Sequence, residues 1–417
     1  MFTAPDGTPR LASAGDDQTV RIWNPTTGTQ VGEPLTGHTD YVWAVAAFTG
    51  LYGGPRLATA SDDQTVRIWN PTTGAQNGLA LTGHTGWVRA VAAFSASYAA
   101  PRLATAGSDG TVRIWNPTPG TQMGGPLTGH TGGVWAVAVF TAPGGTPRLA
   151  SAGADGTVRI WNRTTGARDS PALTGHTGGV WAVAVFTAPD GTPRLVTASY
   201  DQTVRIWNLT TGTQVGKPLI GRTGEVRAPA VFTATGGTPH ITTTSSDGTV
   251  RIWNPTNGTQ VGAPIAGHTG WVTVVAFTAP DGTPRLVTAG SDGTLRIWNA
   301  TNGTQVGEPL TGHTGWVLAV ATFTSTGGVP HITSAGSDGT VRIWNATNGT
   351  QVGEPLTGHT GAARAVAVFT APDGTPRLAS TGDDQTLRIW NPTTHAQEGE
   401  PLTGHTGAAR AVAVFTA

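Results

Sequence analysis

The chain has no cysteine and a single lysine, Lys217, among its 417 residues. Without cysteine, neither disulfide bonds nor thiol catalysis are available. Acidic and basic residues number 24 each, so the formal net charge is zero, whereas a general binder of nucleic acid or of anionic membranes needs a basic excess. No apolar run approaches 18 residues and no signal-like segment opens the sequence, so we expect a soluble, cytoplasmic protein.

A tandem repeat accounts for what the sequence does contain. The 60 glycines and 29 prolines recur at fixed offsets between apolar runs, which indicates turns. The interval between repeats is 46 residues, except for one of 45 between Trp253 and Trp298. A period of this length is typical of one supersecondary unit copied along the chain. The tetrapeptide Arg-Ile-Trp-Asn marks the nine copies at Trp23, Trp69, Trp115, Trp161, Trp207, Trp253, Trp298, Trp344 and Trp390.

Each copy is predicted to contain four short strands, which we call a to d. In the copy from Gly83 to Thr128 they are Trp87–Phe94, Arg102–Ala106, Thr111–Trp115 and Thr121–Leu127, separated by turns rich in glycine, proline and aspartate. No segment has helical periodicity. Nine four-stranded antiparallel sheets favour an all-β fold in which neighbouring sheets cover each other's faces.

The motifs of the unit resemble the WD40 repeat family over the whole chain. They are Gly-His before strand a, serine or threonine ten residues before the repeat tryptophan, and aspartate six residues before it. The resemblance implies a hydrogen-bond network of these side chains inside each sheet, with asparagine here replacing the aspartate of the Trp-Asp signature. The wording of the repeats, such as Gly-Glu-Pro-Leu-Thr-Gly-His-Thr-Gly, is most similar to that of actinobacterial WD40 regulatory proteins. In the first three copies the implied network consists of Ser13, Asp17, Trp23, His405, His38, Thr59, Asp63, Trp69, His84, Thr105, Asp109 and Trp115.

The resemblance implies one domain, residues 1–417, folded as a closed β-propeller of nine blades. The first copy lacks its own strand a, and residues 404–417 form a strand a with nothing after it. We therefore expect 404–417 to pair with residues 1–36 and cover an unpaired edge. A ring of seven blades with two extra sheets, and strand exchange between chains, are the alternatives.

Variation between copies is concentrated near the start of strand a. We call the second residue after His-Thr the upper position, the residue two further on the lower position, and the residue before the network aspartate the turn position. All six tryptophans outside the repeat motif occupy the upper or lower position. The predicted binding residues are Tyr41, Trp43, Trp87, Arg89, Trp135, Trp181, Tyr200, Arg227, Trp271, Trp316, Arg364 and Arg410.

Two interpretations of these residues are open. Trp, Tyr and Arg dominate binding hot spots, so they predict a rim that binds a partner at one mouth of the propeller. Alternatively, they fill space between adjacent inner strands. The turn positions, which include Tyr200, are expected to face the same side as the rim.

Two copies depart from the pattern. The seventh has a strand a one residue shorter, Trp271–Phe277, so we expect the others to carry an extra residue as a bulge. In the sixth, Arg222 replaces the histidine, Glu225 occupies the upper position and Pro229 interrupts strand a. That copy is either a specialised contact or a drifted copy in which Arg222 pairs with Asp247.

The sequence favours a non-catalytic scaffold that binds a protein or peptide, acting as the sensing module of a larger regulator. No metal-ligand spacing, nucleophile elbow or phosphate loop is present, so we expect no enzyme activity, no cofactor and no metal. We also expect a monomer without nucleic-acid or membrane partners. A lectin-like propeller whose tryptophans stack on sugars is the alternative.

Overall fold

The secondary structure of the described residues is entirely β, in nine antiparallel sheets. The computed structural model describes residues 2–3, 9–24, 29–95, 100–142, 145–162, 166–219, 226–233, 239–371, 373–403, 406 and 409–413. We number the sheets 1 to 9 in the order of their b strands along the chain. In these residues there is no helix long and apolar enough to cross a membrane.

The strands follow the predicted order in every sheet. The a strands are Val42–Thr49, Val88–Ser95, Val134–Thr141, Val180–Thr187, Val226–Thr233, Val272–Thr278, Val317–Thr324, Ala363–Thr370 and, for sheet 1, Ala409–Ala413 with Phe2–Thr3. The b strands are Pro9–Gly15, Pro55–Ser61, Pro101–Gly107, Pro147–Gly153, Pro193–Ser199, Pro239–Ser245, Pro284–Gly290, Pro330–Gly336 and Pro376–Gly382. The c strands are Val20–Asn24, Val66–Trp69, Val112–Asn116, Val158–Asn162, Val204–Asn208, Val250–Asn254, Leu295–Asn299, Val341–Asn345 and Leu387–Asn391.

Strand d is shorter than predicted in most sheets. It spans Thr29–Gln30, Thr121–Gln122, Thr213–Leu219, Thr259–Ile265 and Ala396–Gln397. In sheets 2, 4, 7 and 8 only isolated bridges to strand c occur, such as Val66↔Leu81. The left-handed glycine of this segment in sheet 7, Gly307 at φ 74°, has an equivalent at φ 69° in Gly216 within the continuous strand d of sheet 5, so the glycine alone does not decide the length of strand d. The predicted strand Thr121–Leu127 is reduced to its first two residues and one bridge at Leu127.

Each apolar core is shared by two consecutive sheets. Between sheets 2 and 3, Ile68 and Leu81 of one sheet pack with Leu103 and Trp115 of the next. The same arrangement places Trp161, Trp207, Trp253, Trp344, Trp390 and Trp23 in a cluster with the preceding sheet. Every repeat tryptophan is buried. A buried tryptophan removes 150–250 Å² from water, so the repeat motif supplies the largest apolar contribution at these contacts.

The chain divides into two compact units. One contains residues 1–37, 71–74 and 265–417, with sheets 7, 8, 9 and 1 in succession. In it, Trp23 and Leu11 of sheet 1 pack with Phe369 and Leu402 of sheet 9. The other contains residues 38–70 and 75–264, with sheets 2 to 6.

Both ends of the chain contribute to strand a of sheet 1. Ala409–Ala413 pairs with strand b, with Ala12↔Ala413 and Gly15↔Ala409 in register, and Phe2–Thr3 continues along the same edge through Phe2↔Arg10. The backbone N–H of Thr406 also donates to Asp17 Oδ2 at 3.1 Å. The C-terminal strand therefore covers the edge of strand b in this sheet, and the tail of strand a comes from the N-terminus.

Several predicted features fall on residues outside this description. His405, Arg222 and Glu225 are not among the described residues. Only the backbone is described for Arg227, Pro229 and Arg410.

Candidate functional site

The upper and turn positions are neighbours in seven sheets. In each, the backbone N–H of the turn residue donates to the carbonyl of the upper residue at 2.8–3.0 Å. The predicted proximity of the two variable positions is therefore present. We call these two positions, with the lower position, the variable end of a sheet. The donor–acceptor pairs are Asp62–Tyr41, Ser108–Trp87, Ala154–Gly133, Tyr200–Gly179, Ser291–Trp271, Ser337–Trp316 and Asp383–Ala362.

Large aromatic side chains at the upper position are exposed. The exposed fraction is 45% for Tyr41, 49% for Trp87, 36% for Trp271 and 55% for Trp316. These residues precede the a strands rather than lying in them, so the predicted strand starting at Trp87 begins at Val88 instead. Since large aromatics are usually buried to a greater extent, this exposure needs an explanation beyond folding.

The lower position is the extra residue of a β-bulge. In sheet 4 the register passes from Val134↔Gly153 to Ala136↔Ala152 and leaves Trp135 unpaired. Sheets 2, 3, 5, 8 and 9 show the same shift, at Trp43, Arg89, Trp181, Leu318 and Arg364. The predicted bulge is thus confirmed. It lies at the lower position, which is one of the positions that vary most between the repeats.

Sheet 7 has no lower residue. Its ladder runs from Val272↔Gly290 to Thr273↔Ala289 without a shift. Thr273 therefore corresponds to the paired alanine of the other sheets, and its assignment to the lower position from sequence counting is wrong. In sheet 6 the irregularity lies between Arg227 and Ala230, around Pro229, because proline has no N–H for the ladder.

A cation–π stack joins the variable ends of sheets 2 and 3. The guanidinium carbon of Arg89 lies 4.3 Å from the centroid of Trp43 and 4.6 Å from that of Trp87. Arg89 Nε is 3.8 Å from Asp62 Oδ1. Three of the predicted binding residues therefore contact one another, together with a turn-position aspartate.

A second aromatic pair joins sheets 4 and 5. Trp135 meets Tyr200 edge-on, with ring centroids 5.7 Å apart and the planes at 90°. Trp135 is half-buried, whereas Tyr200 is 52% exposed. Trp181 differs from both, because it packs against the core cluster around Phe186 and Trp253, and within the described residues its Nε1 has no hydrogen-bond partner. The space-filling interpretation therefore fits Trp181 and partly fits Trp135.

The lower-position arginines whose side chains are described are paired within the chain. Arg364 makes a bidentate contact with Asp383, from Nε and Nη2, with both distances 2.7 Å. This contact raises the pKa of Arg364, and Arg89 lies beside Asp62. These two arginines are therefore less available to acidic groups of a partner, because each already faces a carboxylate of its own chain.

The predicted hydrogen-bond network is present. The indole N–H of the repeat tryptophan donates to Ser or Thr Oγ at 2.7–2.9 Å in all nine sheets. In sheet 2, His38 Nε2 is 2.7 Å from Thr59 Oγ1 and His38 Nδ1 is 2.7 Å from Asp63 Oδ2. In sheet 3, His84 bridges Thr105 and Asp109 at 2.8 and 3.0 Å, while Trp115 donates to Thr105. In sheet 1, Trp23 bonds Ser13, and Asp17 receives the Thr406 N–H.

The surroundings of His84 in the network fix its protonation state. Burial lowers the pKa of His84, although Asp109 opposes this effect, so the ring is neutral at pH 7. A neutral ring whose Nδ1 faces a carboxylate must carry its proton on Nδ1, which leaves Nε2 to accept from the hydroxyl. Burial raises the pKa of Asp63, but hydrogen bonds from His38 and Thr65 outweigh it and hold this pKa well below its usual range.

A second repeated contact, which was not predicted from the sequence, joins strands c and d. In eight sheets the arginine two residues before the repeat tryptophan donates from Nη1 to a glutamine nine residues later, at 2.5–3.0 Å. The glutamine amide then donates to the carbonyl of the glycine two residues on. Sheet 4 has Arg168 at the glutamine position. The constant nine-residue spacing could have revealed this pair.

Within the described residues, no group of three or more His, Asp or Glu side chains could hold a metal ion. The network Ser and Thr hydroxyls are buried at the centre of each sheet. Each of these hydroxyls accepts the indole N–H of its repeat tryptophan, which is a structural contact within the sheet.

The comparisons identify the repeats. A model of the family "WD domain, G-beta repeat" matches residues 4–24, 28–70, 76–116, 122–162, 169–208, 220–254, 259–299, 303–345 and 349–391. The chain belongs to the WD40 family. WD40 repeats are generally protein-interaction scaffolds, and WD40 propellers are typically non-catalytic.

A solved structure similar to this WD40 chain is the computationally designed Ika8 protein, in a crystal packing in P63. The TM-score is 0.58 at 24% identity, over 85% of this chain and 97% of the designed one. At that identity the likeness concerns the fold alone. The search of curated proteins finds no significant match to this WD40 chain.

Proposed function

We propose that this WD40 protein is a non-catalytic scaffold that binds a protein or peptide partner through the variable ends of its sheets. The observation that carries this proposal is the exposure of Tyr41, Trp87, Trp271 and Trp316 at positions where other repeats hold glycine or alanine. Because between about a third and a half of each of these side chains faces solvent, packing inside the sheet does not account for an aromatic ring there. Exposed aromatics of this kind are typical of binding hot spots.

The bulge supports the proposal. An extra residue in strand a turns the lower side chain out of the ladder, and β-bulges often serve to re-aim a side chain at a functional site. Trp43, which is 49% exposed, is such a residue. The scaffold would act as the sensing or docking module of a larger regulator, as the wording of the repeats suggests.

A lectin-like function receives no support from the geometry. A glycan binder with repeated pockets should present the same surroundings in several sheets. Here Trp43 contacts an arginine, Trp135 contacts a tyrosine, and Trp181 packs into a core cluster. The tryptophans thus share a sequence position but not an environment.

The closed nine-bladed arrangement is part of the proposal. The pairing of Ala409–Ala413 with Pro9–Gly15 supports it, because it covers an edge that would otherwise be open. Electron-microscopy class averages should show nine blades, and light scattering should give the mass of a monomer. A seven-bladed ring, or a dimer formed by strand exchange, would contradict this arrangement.

Affinity capture from the source organism's lysate tests the binding proposal. A Trp87→Ala, Trp271→Ala, Trp316→Ala variant should lose a partner that the wild type retains. The matched control is Tyr52→Ala, Leu79→Ala, Met123→Ala, which removes exposed apolar side chains from other parts of the surface. Equal retention by both triple variants would move binding away from the variable ends. Variants limited to Trp87, or to Trp271 with Trp316, would then show which unit contributes.

A further inference from the structure

The stack around Arg89 has the parts of a binding site for a cation. Trp43 comes from sheet 2 and Trp87 from sheet 3, and the guanidinium carbon lies over both rings, 4.3 and 4.6 Å from their centroids. Each of the two residues is 49% exposed. Tryptophan is the best aromatic partner for a cation, because its ring presents the negative face of its quadrupole, and here two such rings share one positive charge.

A buried acid lies beside the stack. The side chain of Asp62 is 9% exposed, and within the described residues its Oδ1 has no hydrogen-bond partner. The nearest cationic atom, Arg89 Nε, is 3.8 Å away, which is too long for a hydrogen bond. Burying a carboxylate oxygen without a hydrogen-bond donor destabilises the folded state. Arg89 does not supply the donor that Asp62 Oδ1 lacks.

Sheet 9 shows what the same residue types do when they are fully paired. Arg364, also at the lower position, meets Asp383 of its own sheet with two contacts of 2.7 Å. Arg89 has Ser108 at the turn position of its own sheet and reaches instead toward Asp62 of the preceding sheet. Arg89 therefore makes cation–π contacts with both indole rings but no hydrogen bond with Asp62.

We propose that Trp43, Trp87 and Asp62 form a binding site for a basic side chain of the partner, and that Arg89 is an intramolecular occupant which this side chain displaces. This inference rests on the proposed scaffold function and names the chemistry of its partner. An incoming guanidinium or ammonium group would lie between the two rings and donate to Asp62 Oδ1, a hydrogen bond that Arg89 does not make.

The charge around the site favours a basic partner. Asp40 stands two residues after His38, where all the other repeats have glycine, and its Oδ1 accepts the Tyr41 N–H at 2.8 Å. Sheet 2 thus carries Asp40 next to its upper position and Asp62 at its turn position, against the single charge of Arg89. Once Arg89 has moved out, Asp62 is available to the ligand, and Asp40 adds negative charge next to the upper position.

The test uses N-acetyl-arginine amide as the probe and the indole ¹H–¹⁵N signals of the full-length protein as the readout. Trp43→Phe and Trp87→Phe variants assign the two signals. Arg89→Ala should bind the probe about tenfold more tightly than the wild type, because the competing arginine is gone. The uncharged isostere N-acetyl-citrulline amide should bind neither protein. Asp62→Asn in the Arg89→Ala background should weaken binding again.

Arg102→Ala is the matched control, since it removes an arginine of the same sheet whose guanidinium donates to the Pro101 carbonyl. It should bind the probe as the wild type does. If Arg89→Ala fails to fold, Arg89→Gln removes the charge while keeping a long side chain. A folded Arg89 variant that shows no probe-dependent shift at Trp43 or Trp87, or one that binds citrulline equally, overturns the inference.

The two proposals can fail separately. Capture of a partner through Trp87, Trp271 and Trp316, with no probe binding by the Arg89 variants, would keep the scaffold function and remove the cation site. Probe binding at Trp43 and Trp87, with partner capture unaffected by the triple alanine change, would leave a cation site but overturn its assignment to a side chain of the captured partner.

Discussion

The Trp135 ring occupies the space that a side chain at Gly179 would need. A Cβ built on Gly179 would lie 2.5 Å from Trp135 Cζ3 and 2.8 Å from Cη2. The lower residue of sheet 4 therefore requires a glycine at the upper position of sheet 5. Variation at these positions is coupled between neighbouring sheets, so a small residue at one of them does not by itself show that volume is unimportant.

Gly179→Ala is expected to destabilise the protein by about 1–3 kcal/mol, the usual cost of overpacking, because a rigid indole must shift. Gly133→Ala should cost less, because its nearest contacts are 3.2–3.5 Å away. Trp135→Ala combined with Gly179→Ala should recover much of the loss, which a double-mutant cycle of denaturant unfolding would measure. Additive effects in that cycle would show that the ring does not hold this position in solution.

Thr105→Val is expected to cost about 1–3 kcal/mol, because it leaves the Trp115 indole N–H and His84 Nε2 without their partner inside sheet 3. Thr105→Ser should be nearly neutral, since Ser151 makes the same two contacts in sheet 4. Unfolding by urea, followed by far-UV circular dichroism, gives both values. A serine variant as unstable as the valine one would mean that loss of the methyl group costs as much as loss of the hydroxyl, and a valine variant as stable as the wild type would contradict the role of the hydroxyl.

Stability should fall as the pH is lowered from 7.5. Burial lowers the folded-state pKa of His84, His130, His268, His313 and His359 below the ordinary 6.5. At pH values between the folded-state pKa and 6.5, these histidines are protonated in the unfolded chain but neutral in the folded chain. The free energy of unfolding therefore decreases as the pH drops below about 6.5. The network aspartates, whose folded pKa values also lie below the ordinary 3.8, add a second decrease near and below pH 4.

The measurement is the free energy of unfolding by urea at several pH values between 7.5 and 4. A curve that stays flat or rises from pH 7.5 to 5 would be inconsistent with neutral network histidines. Salt should change the result little, because these pairs are buried.

Deletion of Leu318 should be tolerated. It is the bulge residue of sheet 8, and Val317↔Gly336 and Ala319↔Ala335 could then follow each other as the corresponding pairs do in sheet 7. Deletion of Val320, which lies within the regular ladder, should destabilise the protein strongly, because one end of strand a would slip by one residue and turn its side chains to the other face. Thermal unfolding of the two single-residue deletions compares them directly. Equal losses would show that the bulge is required for folding.

The repeated parts of the fold could be predicted from the sequence, and the contacts between variable positions could not. The period, the strand order and the Trp–Ser/Thr–His–Asp groups depend on residues within one repeat, and the missing residue of sheet 7 is visible by counting. The Trp43–Arg89 and Trp135–Gly179 contacts cross from one sheet to the next. Their partners follow from how adjacent sheets are placed, which no spacing within a repeat reports.

Counting also misled in two places. The distance from His268 assigns Thr273 to the lower position, although Thr273 is a paired residue of the ladder. A count from the histidine does not reveal which residue of the strand is missing. The residue types predict a continuous strand d in sheet 3, Thr121–Leu127, but only Thr121–Gln122 forms, whereas sheet 5 forms the full strand Thr213–Leu219 with a glycine of the same φ at the same position. In both cases backbone geometry decided what residue types alone did not.

The position of the repeat tryptophan means that a repeat, as counted in the sequence, is not the unit that holds together. The indole N–H of Trp115 donates a hydrogen bond to Thr105 of its own sheet, whereas its ring packs among side chains of the preceding sheet. A fragment cut between sheets 2 and 3 would strip the indole from Ile68 and Leu81 and leave an apolar face open to water. Excised pieces of this chain should therefore aggregate through their cut ends unless a capping sheet replaces the lost neighbour.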